Sequence, residues 1–275
     1  MEISENAPFP SKALRLASEF KHRTKDFLYI PHVVKTSIHD ATSGLIEISL
    51  HSLNRRAEAQ IQTLGKEKFL IKDMLSVISE DMDVLDVGAA YGLHTLFASK
   101  KAKTVHAIEP DTETIRLLHK NVKLNHQQNV TIVPYAVLDH NAWVDLRTSG
   151  AGKKAPRLST LVRNRPQDVH KFSRTEHVMA RSLDSLIDAG TISIPHVMKV
   201  DIEGSEGFMI EGAEKLLSGA FEKRPQHIFM EIHPTLLPPQ YTRDSILSML
   251  ASLGYQIEKS WIRKEEYIYH LIPRQ

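Results

Sequence analysis

Two short segments carry acidic side chains and an imidazole at spacings that suit proton transfer or metal binding. Asp201 and Glu203 follow one apolar run, and Glu231 and His233 lie at the end of another. Residues two apart in a β-strand face the same side, so each pair is expected to point one way. Carboxylates beside an imidazole can remove a hydroxyl proton or bind a divalent cation, Mg²⁺ or Mn²⁺. These four residues form the predicted catalytic site, with a base favoured over a cation and both left open.

The acidic residues and the histidine of these segments could also have purely structural roles. Glu203 and Glu206 flank the start of a helix that is expected near Ser205, where acidic side chains favour the helix dipole. His233 precedes Pro234 and can simply end a strand. His233 is nevertheless the preferred base, because the pKa of an unperturbed imidazole lies close to neutral pH.

A glycine-rich turn earlier in the chain predicts a cofactor site. Asp86, Gly88 and Gly92 lie between an apolar run and a helix, and Glu109 ends the next apolar run. Glycine lets the chain turn tightly and lets a ligand approach the backbone. An acidic residue at the second position commonly accepts hydrogen bonds from ribose hydroxyls. The GxGxxG spacing would need glycine at positions 90 and 93, where alanine and leucine stand, which disfavours NAD or FAD without excluding them.

The elements that position both groups alternate between strand and helix from residue 82 onward. Apolar runs predict strands at 84–87, 104–108, 130–133, 197–202 and 228–232. Helical spacing predicts helices at 93–101, 112–125, 205–217 and 243–253, and a closing strand pair is expected at 255–260 and 267–272. Such alternation implies a parallel sheet with right-handed crossovers. Both groups are therefore expected at the carboxyl edge of one sheet.

Residues 1–60 are expected to form an N-terminal elaboration of one larger α/β domain that spans residues 61–275. The spacing of apolar residues in the N-terminal part predicts a helix at 11–23 and a strand at 45–50. A longer helical pattern follows, with Gly65 as its interruption.

A basic insertion is expected near residues 147–176, between short strands at 143–146 and 178–181. It contains a set of cations against the single acid Asp168: Lys153, Lys154, Arg157, Arg163, Arg165, Lys171 and Arg174. Such a segment can be a lid, a contact for phosphate or uronate groups of an acceptor, or a mobile loop. Its one aromatic residue, Phe172, offers little for stacking on single-stranded RNA.

Composition narrows the functional classes. The chain has 275 residues and a formal net charge of +2, which argues against a polycation that binds nucleic acid. It contains no cysteine, which excludes disulfides, thiolate metal ligands and cysteine nucleophiles. No apolar run approaches the length of a membrane span, and the acidic first residues lack the features of a secretion signal. We expect a cytoplasmic α/β protein.

The motifs and their order resemble those of the FkbM family of class I S-adenosylmethionine-dependent methyltransferases. The matching blocks cover roughly residues 82–235 and read Asp86-Val87-Gly88-Ala89, Ile108-Glu109-Pro110-Asp111, Asn121-Val122-x-x-Asn125, Leu183-Asp184-Ser185-Leu186, Lys199-Val200-Asp201-Ile202-Glu203-Gly204-Ser205-Glu206, Glu211-Gly212-Ala213 and Glu231-Ile232-His233. The Lys-x-Asp-x-Glu-Gly-x-Glu block is the most specific of them. One position departs from the family pattern, because Ala90 stands where asparagine is usual and offers no side-chain hydrogen bond.

The resemblance implies a Rossmann-like fold: a mostly parallel seven-stranded sheet with helices on both faces and an antiparallel closing strand. It also implies that the two acid-bearing strands are neighbours. The implied cofactor is S-adenosylmethionine, held by Asp86, Gly88, Ala89, Gly92 and Glu109, with Asp139 near the adenine. The implied reaction is methyl transfer to a hydroxyl of a carbohydrate, glycolipid or related small molecule.

Three other functions stay open from the sequence. An RNA methyltransferase would use the basic insertion and bind RNA with a steep dependence on salt. A non-catalytic cofactor-binding protein would be consistent with the altered turn at Ala90, although Asp201, Glu203 and His233 speak against it. A nicotinamide-dependent oxidoreductase is disfavoured by the glycine spacing, and fold alone does not choose among them.

Overall fold

The elements follow one another along the chain as the α/β rhythm predicts. The computed structural model describes residues 29–148, 159–161, 174–263 and 266–274. Its strands are β1 (His32–Asp40), β2 (Gly44–Ser52), β3 (Asp83–Val87), β4 (Thr104–Ile108), β5 (Val130–Val133), β6 (Ala136–Val137), β7 (Ala142–Thr148), β8 (Ser159–Leu161), β9 (Arg174–Arg181), β10 (Val197–Val200), β11 (His227–Ile232), β12 (Tyr255–Arg263) and β13 (Glu266–Pro273). Its helices are α1 (Arg55–Thr63), α2 (Lys68–Val77), α3 (Leu93–Ser99), α4 (Thr112–Leu124), α5 (Leu183–Asp188), α6 (Glu206–Glu211), α7 (Glu214–Ser218) and α8 (Arg243–Ser252).

The large sheet has seven strands among the described residues, in the order β12-β13-β11-β10-β3-β4-β5. The five strands from β11 to β5 in this order are parallel to their neighbours. β13 runs antiparallel to β11, and β12 runs antiparallel to β13. This confirms the predicted fold, with β13 as the antiparallel closing strand. Because β10 lies between β3 and β11, the carboxyl ends of these three strands meet at one edge of the sheet.

Alternate residues of the strands build separate cores on the two faces of this sheet. On one face, Leu85 and Met198 share a buried cluster with Met209 of α6. On the other face, Val84 joins a cluster that contains Met74 of α2. Side chains of successive strand residues point to opposite faces, so a sheet covered by helices on both sides needs apolar residues at every position. This explains why the parallel strands appear in the sequence as continuous apolar runs.

The hairpin of β1 and β2 packs on the helices next to the large sheet and does not join it. Ile38 and Leu50 of the hairpin belong to one buried cluster with Ile71 of α2 and Phe97 of α3. The strand predicted at 45–50 is confirmed as part of β2, and the domain boundary near residue 60 stays a prediction.

Asn121 of α4 and Asn125, the residue that follows the helix, attach the open edge of β2. The side-chain oxygen of Asn125 accepts a hydrogen bond from the Ser49 amide at 2.8 Å, and its side-chain nitrogen donates to the Ser49 carbonyl at 2.6 Å. The side-chain oxygen of Asn121 accepts from the His51 amide at 2.9 Å. The two side chains thereby satisfy main-chain groups of β2 that a further strand would otherwise satisfy.

Two elements end earlier than their apolar spacing predicts. β10 stops at Val200, because residues 201–204 turn away from the strand direction, with φ of 50° at Glu203. The helix predicted at 205–217 is divided into α6 and α7 around Gly212, whose Cβ position would lie 2.1 Å from the carbonyl oxygen of Leu138. The interruption predicted at Gly65 is confirmed, because α1 and α2 are separated by a 3₁₀ turn at Gly65–Glu67.

Some predicted features lie outside the described residues. They include the helix at 11–23 and most of the basic insertion, whose flanking strands β7 and β9 pair antiparallel in the second sheet. None of the described helices has both the length and the apolar content needed to cross a bilayer.

Candidate active site

A cavity of about 250 Å³ opens at the carboxyl ends of β3, β4, β10 and β11. Most of the residues predicted for the cofactor and for catalysis line it together: Gly88, Ala89, Glu109, Asp201, Glu203, Glu231 and His233. Asp86, Gly92 and Asp139 are the predicted residues that are not among its lining residues. The residues predicted to bind the cofactor and those predicted for catalysis are far apart in the sequence but line the same cavity.

The glycine turn is packed directly against the start of the acidic loop, residues 201–205. Gly88 has a φ of 85°, and a Cβ placed on it would lie 2.0 Å from the carbonyl oxygen of Asp201. No other residue fits there without displacing one of the two loops. Gly92 allows the turn to pack closely against α4, because a Cβ on it would lie 2.5 Å from the Leu118 side chain of that helix.

Glu109 is held at the cavity wall by main-chain donors. Its carboxylate is 5% exposed and accepts hydrogen bonds from the amides of Ala90, at 3.0 Å, and Asp111, at 2.9 Å. Ala90 has a φ of 49°, in the left-handed region that asparagine adopts more readily than alanine. The backbone shape therefore gives a physical reason for asparagine at this position, and the amide of Ala90 still orients the acid.

Asp86 and Asp139 lie away from the cavity for different reasons. Asp86 is buried beneath the turn, where its Oδ2 accepts a hydrogen bond from the Thr95 hydroxyl at 2.6 Å. Asp139 lies beyond β6 with its Oδ1 3.1 Å from Nδ1 of His140. Val137 of β6 lines the cavity, whereas Asp139, two residues further along the chain, does not.

This half of the cavity could hold an adenosyl group. Glu109 offers a fixed carboxylate that could accept hydrogen bonds from ribose hydroxyls, and Ile108 and Val137 are apolar residues of the lining against which a base could pack. The turn at Gly88 presents main chain instead of side chain. These are the features that a nucleoside cofactor needs from a sheet edge.

The acidic loop reaches the cavity through a strained turn and not as a continuation of β10. Asp201 and Glu203 were expected to share one face of a strand, but both lie beyond its end. Glu203 has a φ of 50°, which is costly for a residue with a side chain and is typical of functional sites. Gly204 follows with a φ of 94°, and a Cβ on it would lie 2.3 Å from the carbonyl oxygen of Leu236. The turn is thus packed against the loop that follows His233.

His233 is surrounded by carboxylates. Its Nδ1 lies 3.0 Å from Oε1 of Glu206, which is fully buried, and its Nε2 lies 3.4 Å from Glu231 and 3.7 Å from Asp201. Burial alone would lower the pKa of His233, but the hydrogen bonds to Glu206 and Glu231 and the charge of Asp201 outweigh it and raise the pKa to about 11. The imidazole is therefore cationic at neutral pH.

The carboxyl of Glu203 has a pKa near neutral pH. Burial raises the pKa of its carboxyl to about 8, and the negative charge of Asp201 adds to that effect, while His233 opposes it. A group with such a pKa exchanges its proton near physiological pH, which suits general acid–base chemistry.

Lys199 brings a second cation to the floor of the cavity. It is 3% exposed, and its Nζ lies 3.5 Å from Oδ2 of Asp201 and 3.7 Å from Oδ1 of Asp86. Burial lowers the pKa of this amine, but the charges of Asp201, Asp86 and Glu231 outweigh burial and raise it above its usual value. The ammonium therefore stays charged.

Three of these residues also meet the spacing of a cation site. Asp201, Glu231 and His233 each offer one ligand atom, and these atoms lie within 4.8 Å of one another. Two carboxylates and an imidazole would suit Mg²⁺ or Mn²⁺. Lys199 and the imidazolium of His233 already lie next to the same carboxylates.

Sequence analysis missed the parts played by Glu206 and Lys199. Glu206 was interpreted as a possible helix cap, and it does lie in the first turn of α6, but its carboxylate is turned to His233. The sequence does contain a signal for the role of Lys199, because a lysine inside an otherwise apolar run is expected to have a buried partner of opposite charge. One of its partners, Asp201, lies only two residues further along the chain, whereas the other, Asp86, lies on β3 and is revealed by the strand order.

Comparison with known proteins agrees with this geometry. A family model described as "Methyltransferase FkbM domain" matches residues 86–257. A curated protein of Haloferax volcanii, "Hexuronic acid methyltransferase AglP", is 27% identical over 204 residues, which cover 73% of this chain and 75% of that protein.

The solved structures to which the chain is similar share less sequence with it. The FkbM methyltransferase of Methylobacillus flagellatus KT is 19% identical with a TM-score of 0.46, and the match covers 70% of this chain and 44% of that chain. The chain thus spans less than half the length of that protein. The precorrin-6y C5,15-methyltransferase of Geobacter metallireducens GS-15 is 13% identical with a TM-score of 0.43, covering 76% of this chain and 90% of that one.

Proposed function

We propose, because the chain belongs to the FkbM methyltransferase family, that it transfers the methyl group of S-adenosylmethionine to a hydroxyl group of a carbohydrate or related small molecule. The observation that supports this proposal is the single cavity that joins the glycine turn and Glu109 to the acidic loop and His233. A cofactor pocket and an acid–base site in one space is what a group transfer between two bound molecules requires.

The cofactor is assigned to the glycine-turn side of the cavity. Glu109 would accept hydrogen bonds from ribose hydroxyls, while Gly88 and Ala89 would contact the cofactor through their main chain. Asp86 and Gly92 support this turn from behind. S-adenosylmethionine, when bound, supplies a methyl group on a positively charged sulfur.

Glu203 is the proton acceptor in this proposal. Its carboxyl lines the cavity and has a pKa near 8, so its ionised form can take the proton that the acceptor hydroxyl releases. His233, the base favoured by the sequence, keeps its own proton at neutral pH and cannot take a second one. Its role changes to that of a fixed donor facing Asp201 and Glu231.

The acceptor class rests on the family and on one relative. The Haloferax volcanii protein acts on hexuronic acid by its name. We propose for this chain a sugar hydroxyl in a small molecule or glycan, because a site built on hydrogen-bonding side chains selects a hydroxyl over a group that cannot pair with them.

The proposal is tested first by calorimetric titration with S-adenosylmethionine, with NAD as the control ligand. The wild type is expected to bind S-adenosylmethionine and not NAD. Glu109→Ala should weaken binding at least about tenfold, because a charge-assisted pair of hydrogen bonds is lost. Glu80→Ala, which removes an exposed acid outside the cavity, serves as the matched control and should bind like the wild type.

Activity is tested next with the acceptor varied. Methyl transfer to hydroxylated glycosides, followed by mass spectrometry, should depend on Glu203 and on His233 while their variants retain cofactor binding. A folded wild type that binds NAD, or that binds neither ligand, would contradict the proposed function.

A further inference from the structure

We propose that Lys199 is the built-in counter-ion of the acidic site, taking the place that a divalent cation takes in metal-dependent transfer to a hydroxyl. In this role the ammonium keeps Asp201 ionised and fixed next to the acceptor. Lys199 acts through Asp201 and is therefore a positioning residue. Its catalytic meaning rests on the proposed methyltransferase function, but its role as a cation can be tested without any acceptor.

The position of Lys199 in the sheet places its ammonium group between two carboxylates. It lies in the central strand β10, in register with Asp86 of β3 and Phe229 of β11. Its side chain is 3% exposed, so the ammonium is separated from bulk water and must be stabilised by protein groups. Those groups are Asp86, at 3.7 Å, and Asp201, at 3.5 Å, which belong to the cofactor side and the acceptor side respectively.

Asp201 lies between two cations as a result. Its Oδ2 is next to Lys199, and its Oδ1 is 3.7 Å from Nε2 of His233. Several carboxylates in a buried space repel one another unless cations compensate them. Lys199 and His233 provide that compensation with groups that belong to the chain.

A divalent cation at the same place would compete with these two groups. To bind Asp201, Glu231 and His233 together, it would need the proton of His233 Nε2 to leave. It would also lie close to the Lys199 ammonium, and like charges at short range repel strongly where water is excluded. Lys199 and a bound cation are therefore alternative partners of one set of carboxylates.

Lys199→Met provides the test, because methionine keeps most of the length and the apolar character of the stem. Binding of Mn²⁺ to the EDTA-treated proteins is followed by electron paramagnetic resonance and by thermal unfolding. We expect the variant to bind Mn²⁺ at least about tenfold more tightly than the wild type, and to be stabilised by it. Lys215→Met removes a lysine from an exposed pair with Asp188 and should leave Mn²⁺ binding unchanged.

Activity gives the second measurement. The wild type should keep its activity after EDTA treatment, whereas Lys199→Met should lose roughly 100-fold in kcat with little change in cofactor affinity. Added Mn²⁺ should restore part of the loss in the variant. Such restoration would not be seen if Lys199 merely filled space.

Three results would overturn the proposal. The first is a wild type that loses activity in EDTA and regains it with Mn²⁺, which would make Asp201, Glu231 and His233 a metal site. The second is a variant that binds Mn²⁺ no better than the wild type, and the third is a variant with unchanged kcat. If Lys199→Met does not fold, Lys199→Met combined with Asp86→Asn removes the orphaned carboxylate and allows the same comparison. Failure of the wild type to bind S-adenosylmethionine would count against the proposed function alone, since the Mn²⁺ comparison does not need it.

Discussion

Glu203 and His233 share one cavity but release their protons in different pH ranges. Burial and the charge of Asp201 move the pKa of Glu203 up to about 8, whereas hydrogen bonds to carboxylates move that of His233 to about 11. Environments that push two titratable groups apart commonly separate the acid from the base in an active site. Here the carboxyl becomes the group that exchanges protons near neutral pH.

The pH dependence of turnover follows from the pKa of Glu203. Below pH 8 the carboxyl is mostly protonated and cannot accept a proton, so kcat should fall about tenfold per pH unit. Above pH 8 it should level off. In Glu203→Gln, kcat should be low at every pH and should no longer fall below pH 8. The measurement is kcat under saturating substrates from pH 6 to about 10. A wild-type profile without any inflection near pH 8 would contradict the assignment.

The Glu206–His233 pair predicts a change that is measured without turnover. Glu206→Gln removes the negative charge that accepts from Nδ1, so the pKa of His233 should fall well below 11, as followed by NMR titration of the imidazole. In the wild type, the folded pKa is raised above the ordinary value of 6.5. His233 therefore contributes stability that is complete below pH 6.5 and is lost as pH rises toward 11. An unchanged pKa in the variant would show that Glu206 is not the dominant partner.

At the scale of elements, the loops at the sheet edge are fixed to one another by glycines. Gly88 packs on the main chain of Asp201, and Gly204 packs on the main chain of Leu236. Each contact joins two loops that carry site residues. The glycines therefore set the distance between the cofactor side and the acceptor side.

Gly88→Ala should destabilise the fold by roughly 2–4 kcal/mol, because a Cβ adds both a left-handed backbone cost and an overlap with a carbonyl oxygen. Gly190 has a similar φ, 65°, with no atom within 4 Å of its Cβ position. Gly190→Ala should therefore cost only about 1 kcal/mol. Urea unfolding of both variants measures the difference, and equal losses would show that the overlap at Gly88 is relieved.

The sequence predicts strands and helices well where one local pattern decides them. The apolar runs around Leu85 and Met198 are buried on a two-sided sheet, so their position follows from composition. The end of β10 and the division of α6 from α7 depend on contacts with Leu236 and Leu138, which are distant in the chain. The spacing of apolar residues within one segment cannot predict contacts with residues that are distant in the chain. For the same reason, the motifs predicted residues that line the cavity, but they predicted neither the contact of Lys199 with Asp86 nor that of Glu206 with His233.

At the scale of the whole molecule, the net charge conceals the charge of the cavity. The chain as a whole carries +2. Among the described residues, the cavity lining contains two cations, Lys199 and the protonated His233, and a larger set of acids, of which Glu203 is ionised only near its pKa of about 8: Glu67, Glu109, Asp201, Glu203, Glu231 and Glu266. A low-dielectric space with this balance attracts cations and repels anions.

This balance predicts the charge of the acceptor. A neutral glycoside should be methylated with a kcat/KM at least about tenfold higher than the matching uronate. The double variant Glu67→Gln, Glu266→Gln should show a smaller difference in kcat/KM between the neutral glycoside and the uronate. The measurement compares methyl glucoside with methyl glucuronoside at constant ionic strength. Preference of the wild type for the uronate would contradict the prediction and would point to the basic insertion as a contributor of positive charge.

The attachment of the hairpin has a consequence for recognising distant relatives. Asn125 holds the main chain of β2 at Ser49, and Asn121 holds it at His51, whose Nδ1 also lies 2.9 Å from the Asn121 side-chain oxygen. The exposed positions of β2 are therefore free to diverge in evolution, while the two asparagines and the buried residues of the strand, such as Leu50, are constrained. A homologue that keeps both asparagines four residues apart should possess an equivalent strand upstream, even where alignment no longer detects it.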